Sequence, residues 1–284
     1  MKRATDTEDP NALARAAIAG DREALDRLVA LLRDDVYHLA LRTLGHPADA
    51  EDAAQEALIQ IITGLSTFRG EASIRTWAFR VAVRHYMRFR RGRYEALVDD
   101  FSSIDQVIGM HDRVPPVSLS ETEATVLAEE VKWGCLSAIL LALSRDERVA
   151  WTLAEVFGLS GEEAADVLDV DAATFRKRLQ RAREALTGYM TRTCGLVNEA
   201  VACRCKRQIP VHIHFDFIGP DKMFFSRHPV RGPAKALDPE RLRGLLDTER
   251  VAEVFRSHPD YAAPEGLVER MRTFIARGGL SALD

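Results

Sequence analysis

Residues 49–93 read DAEDAAQEALIQIITGLSTFRGEASIRTWAFRVAVRHYMRFRRGR, and the change of character halfway along this stretch decides the fold. The first half predicts an amphipathic helix. Ala53, Leu58, Ile61, Ile62 and Leu65 share one side, the spacing of a helix that buries one face. Asp49 is placed to cap it with Asp52 at the third helical position, and Asp49, Glu51, Asp52 and Glu56 suit the positive end of the helix dipole. Gly70 then pivots a loop, and a second helix is expected from Ile74 to Arg91. Phe79, Val83 and Tyr86 fall on one face of it, while Arg80, Arg84, Arg88 and Arg91 form a stripe bordered by Trp77 and Val81. Cations beside aromatic faces are what a single nucleic-acid strand needs, phosphate partners and stacking surfaces together. Phe79 and Tyr86 are better assigned to the core; Trp77 and Phe68 are the candidates for base contact.

Working outward, residues 11–44 predict two helices, broken at Gly20, with Asp21 capping the second and Gly45-His46-Pro47 ending it. On the other side, Glu95 to Glu130 holds nine acids, one base (Arg113) and a Pro115-Pro116 pair, which reads as a flexible acidic linker. From Val131 to Met190 a second helical unit follows. Ser144 with Glu147 and Ser160 with Glu163 are capping boxes. Asp169-Val170-Asp171 is a tight turn, and Ala172 to Met190 is a basic amphipathic helix with Phe175, Leu179, Ala182 and Leu186 on its apolar face. Lys177, Gln180 and Arg181 lie opposite, flanked by Thr174, Arg176 and Arg178. Short helix, turn, basic helix is the helix-turn-helix order, and these polar groups bond phosphates and base edges.

Charge supports the same division. Residues 66–93 carry +7 and residues 174–192 carry +5; with −4 for all 284 residues, the remainder carries −16. Two basic islands in an acidic chain mark local polyanion footprints. The hydrophobic fraction of 46% supports real cores. The longest candidate apolar run, Leu136–Leu143, is too short to span a bilayer, no signal peptide opens the chain, and four cysteines are too few for a disulfide scaffold. A cytoplasmic protein without membrane insertion is expected.

Residues 191–284 form an extension. Cys194, Cys203 and Cys205 stand close in sequence, and IPVHIHFDF after them alternates like a strand. His212 and His214 follow within reach, and three thiols with an imidazole, Cys194, Cys203, Cys205 and His214, make a candidate zinc set. A redox-sensitive thiol group beside Arg204, Lys206 and Arg207 and ordinary buried cysteines are the rival readings. Cys135, alone on an apolar helix, reads as simply buried. Leu242, Leu245, Leu246, Val251, Val254 and Phe255 give the last segment an apolar face that needs a partner.

The order of these parts resembles a sigma-70-type RNA polymerase sigma factor of the compact extracytoplasmic-function (ECF) group. The resemblance rests on Asp49-Ala50-Glu51-Asp52 with Gln55-Glu56, on Phe68-Arg69-Gly70, on Thr76-Trp77 with Arg80-Val81-Ala82, and on Arg88 with Arg90-Arg91. In the second unit it rests on Leu143-Ser144 with Arg148, on Leu159 through Ala165, and on Val170-Asp171 with Thr174 through Arg183. It implies that Asp49, Asp52, Gln55 and Glu56 dock on core RNA polymerase. It implies that Phe68, Arg69, Arg75, Trp77, Arg80, Arg84, Arg88 and Arg91 melt and hold the −10 promoter element. It implies that Thr174, Arg176, Lys177, Arg178, Gln180 and Arg181 read the −35 element. An anti-sigma factor is a candidate further partner. Arg84, Ser144 and Ala173-Thr174-Phe175 depart from the usual residues, so the promoter sequence is not carried over.

The expectation is a mainly α protein: sigma region 2 over 10–93, an acidic linker over 94–130, sigma region 4 over 131–190, and a small α+β extension over 191–284. It is not an enzyme and requires no cofactor beyond the candidate zinc. A stand-alone helix-turn-helix regulator would leave 49–93 unused, and an enzyme built on the cysteines would lack a nucleophile–base motif.

Overall fold

The computed structural model describes residues 9–276 apart from 220, 221, 227 and 233; residues 1–8, where a signal peptide was read as absent, lie outside. Four helices form the first unit: α1 (Pro10–Ile18), α2 (Arg22–Leu44), α3 (Pro47–Thr63) and α4 (Ile74–Arg88). Local chemistry sets their ends. The Asp21 carboxylate accepts the Ala24 N–H at the start of α2, and Ser73 accepts from Thr76 at the start of α4. Gly45 ends α2 at φ +78°, and a Cβ there would lie 2.6 Å from Leu141, so the conformation and the close approach both require glycine. Asp49 is not the cap of α3. Pro47 opens that helix with His46 as N-cap, and Asp49 sits in the first turn. Helix α4 stops at Arg88, one turn before the expected Arg91, and the Arg91 guanidinium instead bonds the carbonyls of Glu95 and Val98 at 2.9 Å.

The expected flexible linker is largely ordered. A short 3-10 turn (Glu95–Leu97) leads to α5 (Phe101–Ile108), and α6 (Glu121–Leu141) runs straight through the expected boundary at Glu130. Acidic composition masked the apolar residues that seat this segment. Val98, Ile104, Ala124 and Val131 are buried, and Phe101 stacks on Tyr189 at 4.4 Å. The second unit continues with α7 (Arg145–Trp151), a π-turn (Thr152–Val156), α8 (Gly161–Leu168) and α9 (Ala172–Thr193).

In the extension the expected strand is a helix, α10 (Ile209–His214). Pro210 fits the first helical turn but would remove a ladder hydrogen bond from a strand. Strands β1 (Val230–Gly232) and β2 (Asp260–Tyr261) pair antiparallel instead. Helices α11 (Pro239–Arg243), α12 (Asp247–Arg256) and α13 (Glu265–Ala276) complete the described chain. The apolar face of α12 finds its partner in the second unit: Val251, Val254 and Phe255 are buried, and Phe255 meets Trp151 edge-on at 4.7 Å. Leu246 does not join them and stays 71% exposed.

One continuous apolar core runs from Leu13 through Trp151 to Ile275, so both helical units and the extension share it. Side chains such as Phe79, Trp151 and Phe255 are almost fully enclosed, each stabilising the fold by roughly 1.5–3 kcal/mol. The two units are therefore packed together rather than held apart.

Candidate nucleic-acid interface

The second basic island is built as expected. The Ser160–Glu163 capping box starts α8, Asp169 turns the chain in the left-handed region at φ +55°, and the Asp171 carboxylate accepts the Thr174 N–H to start α9. Phe175, Leu179, Ala182 and Leu186 are buried against the rest of the unit. Arg176, Lys177, Gln180 and Arg181 are exposed on the opposite face. Of the flanking residues, the Thr174 hydroxyl bonds Asp171 at 2.8 Å, and Arg178 pairs with Asp146 at 3.2 Å. The α9 face thus presents three cations and an amide in one row, the pattern that reads base edges and grips phosphates.

The first island has the expected residues but not an open surface. Phe79 and Tyr86 are enclosed, and the Tyr86 hydroxyl donates to the Val36 carbonyl at 2.9 Å. Phe68 departs from its expected role: it is only 8% exposed and meets Trp77 edge-on at 5.8 Å, so its ring faces core rather than solvent. Trp77 is half-buried. Arg75 pairs with Asp35 at 2.9 Å and lies over the Phe79 ring at 5.0 Å. Arg80 pairs with the Asp166 carboxylate and bonds its carbonyl at 3.1 Å; Arg84 pairs with Asp169 at 2.9 Å. Two arginines of the stripe therefore hold α8 of the other unit and the turn that follows it. Arg69 and Arg88 are exposed, and Arg91 holds the 95–99 turn as described above.

On α3, Asp52 and Glu56 are exposed, and Asp49 and Gln55 are half-buried. Glu56 lies 3.3 Å from His85. Asp52, Gln55 and Glu56 line one groove with Arg88 and Arg90, so these polar groups of α3 adjoin the basic island. Gln55 accepts from Arg270 of α13, which also pairs with Glu51 at 2.6 Å.

Sequence reasoning missed the charged cluster between the units. Glu95, read as a linker acid, is buried and forked by Arg145 at 2.9 and 2.5 Å, with Arg148 at 3.0 Å. Arg145 also donates to the carbonyls of Tyr86 and Phe89 at the end of α4. Arg148 donates to Leu140, Leu141 and Leu143 at 2.9 Å and to Thr43. Burial alone would raise the Glu95 carboxyl, but the two guanidiniums hold it below the usual carboxylate range. Glu130 was missed as well. Its buried carboxylate accepts the N–H groups of Phe224, Phe225 and Ser226 at 2.7–3.1 Å, which pins the extension to α6. An acid in a linker gives no sequence signal of burial; only an apolar neighbourhood such as Val98 hints at it.

The candidate zinc set is not assembled as expected. Cys194, Cys203 and Cys205 line one narrow cavity with Cys135 and His212, the other of the two histidines within reach in sequence, while His214 is exposed. Burial raises all four thiols, Cys205 to about 12. Among the described residues no group of three or more His, Cys, Asp or Glu side chains is arranged to hold a metal ion. Nor is any described helix long and apolar enough to cross a membrane.

Comparison with known proteins matches this layout. Residues 28–95 match the family described as Sigma-70 region 2, and residues 133–186 match Sigma-70, region 4. The ECF RNA polymerase sigma-E factor of Escherichia coli K12 is 32% identical over 172 residues, 59% of this chain and 86% of that protein. The ECF RNA polymerase sigma-E factor of Haemophilus influenzae is 30% identical over 181 residues, 62% of this chain and 92% of that protein. The solved sigma factor RpoE of Bartonella quintana, in complex with the anti-sigma factor NepR, is 18% identical with a TM-score of 0.40, over 59% of this chain and 96% of that one. With two helical units in this order, each carrying a basic island, and relatives matched over most of their length, the chain belongs to the sigma-70 family of RNA polymerase sigma factors, in its ECF group.

Proposed function

We propose that this chain is a promoter-specificity subunit: it joins core RNA polymerase, reads −35 duplex with α9, and opens and holds the −10 strand with the loop and helix around 68–91. The observation that carries this reading is the exposed row Arg176, Lys177, Gln180 and Arg181 on a capped helix-turn-helix, paired with a second, arginine-rich unit. Extruding bases costs about a few kcal/mol each, and stacking on an aromatic returns roughly 1–3 kcal/mol per base. Trp77, half-buried at the edge of the stripe, supplies such a ring. The chain makes no bonds itself; polymerase does, and the chain works where polymerase does, in the cytoplasm. An anti-sigma factor is a further partner that this role accommodates. The test is to add the purified chain to core polymerase and assay for promoter-specific run-off transcripts; transcripts no different from core alone would defeat the reading.

In that assay Arg176→Ala and Lys177→Ala are each expected to lower promoter-specific output by roughly 5- to 150-fold, the equivalent of about 1–3 kcal/mol for a base contact. A phosphate contact would instead weaken all sequences about equally and reduce the salt slope of binding by about one. Titrating output against salt for each variant separates these roles.

No resident cofactor is required in this proposal. The protonated, half-buried thiols of Cys194, Cys203 and Cys205 have first to lose protons and rearrange to take zinc. Elemental analysis of the purified chain is expected to find zinc well below one equivalent; stoichiometric zinc that Cys203→Ser removes would reverse that expectation.

A further inference from the structure

We propose that α13 is an intramolecular lid on the polymerase-facing side of α3, and that the chain rests in a closed form until core polymerase displaces it. The inference depends on the sigma-factor reading given above, which makes α3 a docking helix.

Glu51 and Gln55 stand one turn apart on α3 and so share a face. Arg270 of α13 covers both, pairing with Glu51 at 2.6 Å and donating to the Gln55 side-chain oxygen. Gln55 is one of the residues expected to meet polymerase. A partner that takes the same polar groups has to remove Arg270 first. The lid is held from beneath by Leu267, Met271 and Ile275, all buried. The chain leading into it is strapped to α2: the Ala263 N–H donates to Asp34 at 3.0 Å, and Arg231 bonds both Asp35 at 3.0 Å and Asp260 at 2.5 Å.

The α3–α13 contact is nevertheless built to exchange. The Arg270 side chain is 43% exposed and that of Glu51 28%, so their attraction is screened and modest. The closure extends to the second functional surface. Arg80 and Arg84, expected to grip the −10 strand, are occupied by Asp166 of α8 and by Asp169 in the turn that follows it. Aspartates take the place that phosphates would take. In the closed form Gln55 on one first-unit surface and Arg80 and Arg84 on the other are engaged within the chain, while Asp52, Glu56, Arg69, Arg88 and the α9 face remain exposed. Core polymerase then binds only the open fraction, and its apparent affinity is reduced by that fraction.

The experiment uses the full chain. Arg270→Glu replaces attraction by repulsion at a half-exposed site that does not threaten folding. It is expected to bind core polymerase about five- to tenfold more tightly than the unchanged chain, measured by fluorescence anisotropy, and to give more promoter-specific transcript at limiting chain. Arg270→Lys keeps the cation and should stay near the unchanged chain. As an independent measurement, amide exchange over residues 265–276 should accelerate when core polymerase is added. Equal core affinity for Arg270→Glu and the unchanged chain, with both giving promoter-specific transcripts, overturns the lid. So does exchange over 265–276 that polymerase leaves unaltered. If neither protein directs specific transcripts, the sigma-factor reading fails and takes the lid with it.

Discussion

Glu95→Ala is expected to melt roughly 10 °C below the unchanged chain. The expectation comes from the cluster it would break. Glu95 is the shared anion of Arg145 and Arg148, and both it and Arg148 are buried. Removing one partner of a buried pair leaves an uncompensated charge and costs about 3–5 kcal/mol. In a chain of this size each kcal/mol moves the melting temperature by roughly 2–4 °C. The cost is concentrated where the two helical units meet, because Arg145 holds carbonyls of α4 while Arg148 holds one of α2. Circular dichroism melts of Glu95→Ala and Glu95→Gln decide the matter. Glutamine keeps the shape but loses the charge, and should fall between the two. A Glu95→Ala melt within a degree or two of the unchanged chain would mean that the carbonyls alone satisfy both guanidiniums.

Acidification supplies the second large effect. Burial lowers the pKa of six histidines, His38, His46, His85, His212, His228 and His258, from the ordinary 6.5. His38, His212 and His258 are each less than 9% exposed. His38 shows the structural reason for staying neutral: Arg42 donates to its Nε2 at 3.2 Å, so that nitrogen must keep its lone pair. His258 is pushed furthest down, enclosed beside Trp133 at 4.3 Å and Tyr261 at 5.3 Å, with Arg42 adding like charge nearby. A histidine that is neutral when folded and ionises when unfolded gives its full stabilisation above about 6.5. Below that pH the unfolded chain binds the extra proton, and stability falls by up to about 1.4 kcal/mol per pH unit for each such group, until its folded pKa is reached. The three enclosed histidines together should therefore make urea midpoints fall steeply between about pH 6.5 and 5.5. His258→Phe should flatten that slope. A flat midpoint across this window, or a slope that His258→Phe leaves intact, would contradict the assignment.

Helix α9 was legible because a period of 3.6 separates its two faces without help from the rest of the chain: Phe175, Leu179, Ala182 and Leu186 are buried as read, and Arg176, Lys177, Gln180 and Arg181 are exposed. Periodicity also gave Phe79 and Tyr86 to the core. It failed at 210–217, where a brief alternation suits a strand and a short helix equally and only Pro210 distinguishes them. It failed again at the linker, where a count of charges hid Val98 and Ile104. The arginines of α4 were visible; what they hold was not. Asp166 and Asp169 are far away in the chain, and no local pattern announces a pairing between units. Phe68 was misassigned for a related reason: an aromatic beside arginines looks the same in sequence whether its ring faces a base or Trp77. The three extension cysteines were close enough in sequence to suggest a common site. Cys135, the fourth at that cavity, comes from another helix and gave no sign of belonging there.

The carbonyls around Arg148 carry one more consequence. Thr43 lies in the last turn of α2, and Leu140, Leu141 and Leu143 lie at the close of α6. Two negative helix poles thus converge on one guanidinium. The side chain serves as a fixed counter-ion for both dipoles, and its planar, forked donors divide among oxygens that a single ammonium could not reach together. Lysine in its place would keep the charge and leave several of these last-turn carbonyls without a donor. The direction of the N–H groups, more than the charge they carry, is what joins α2 to α6 at this point.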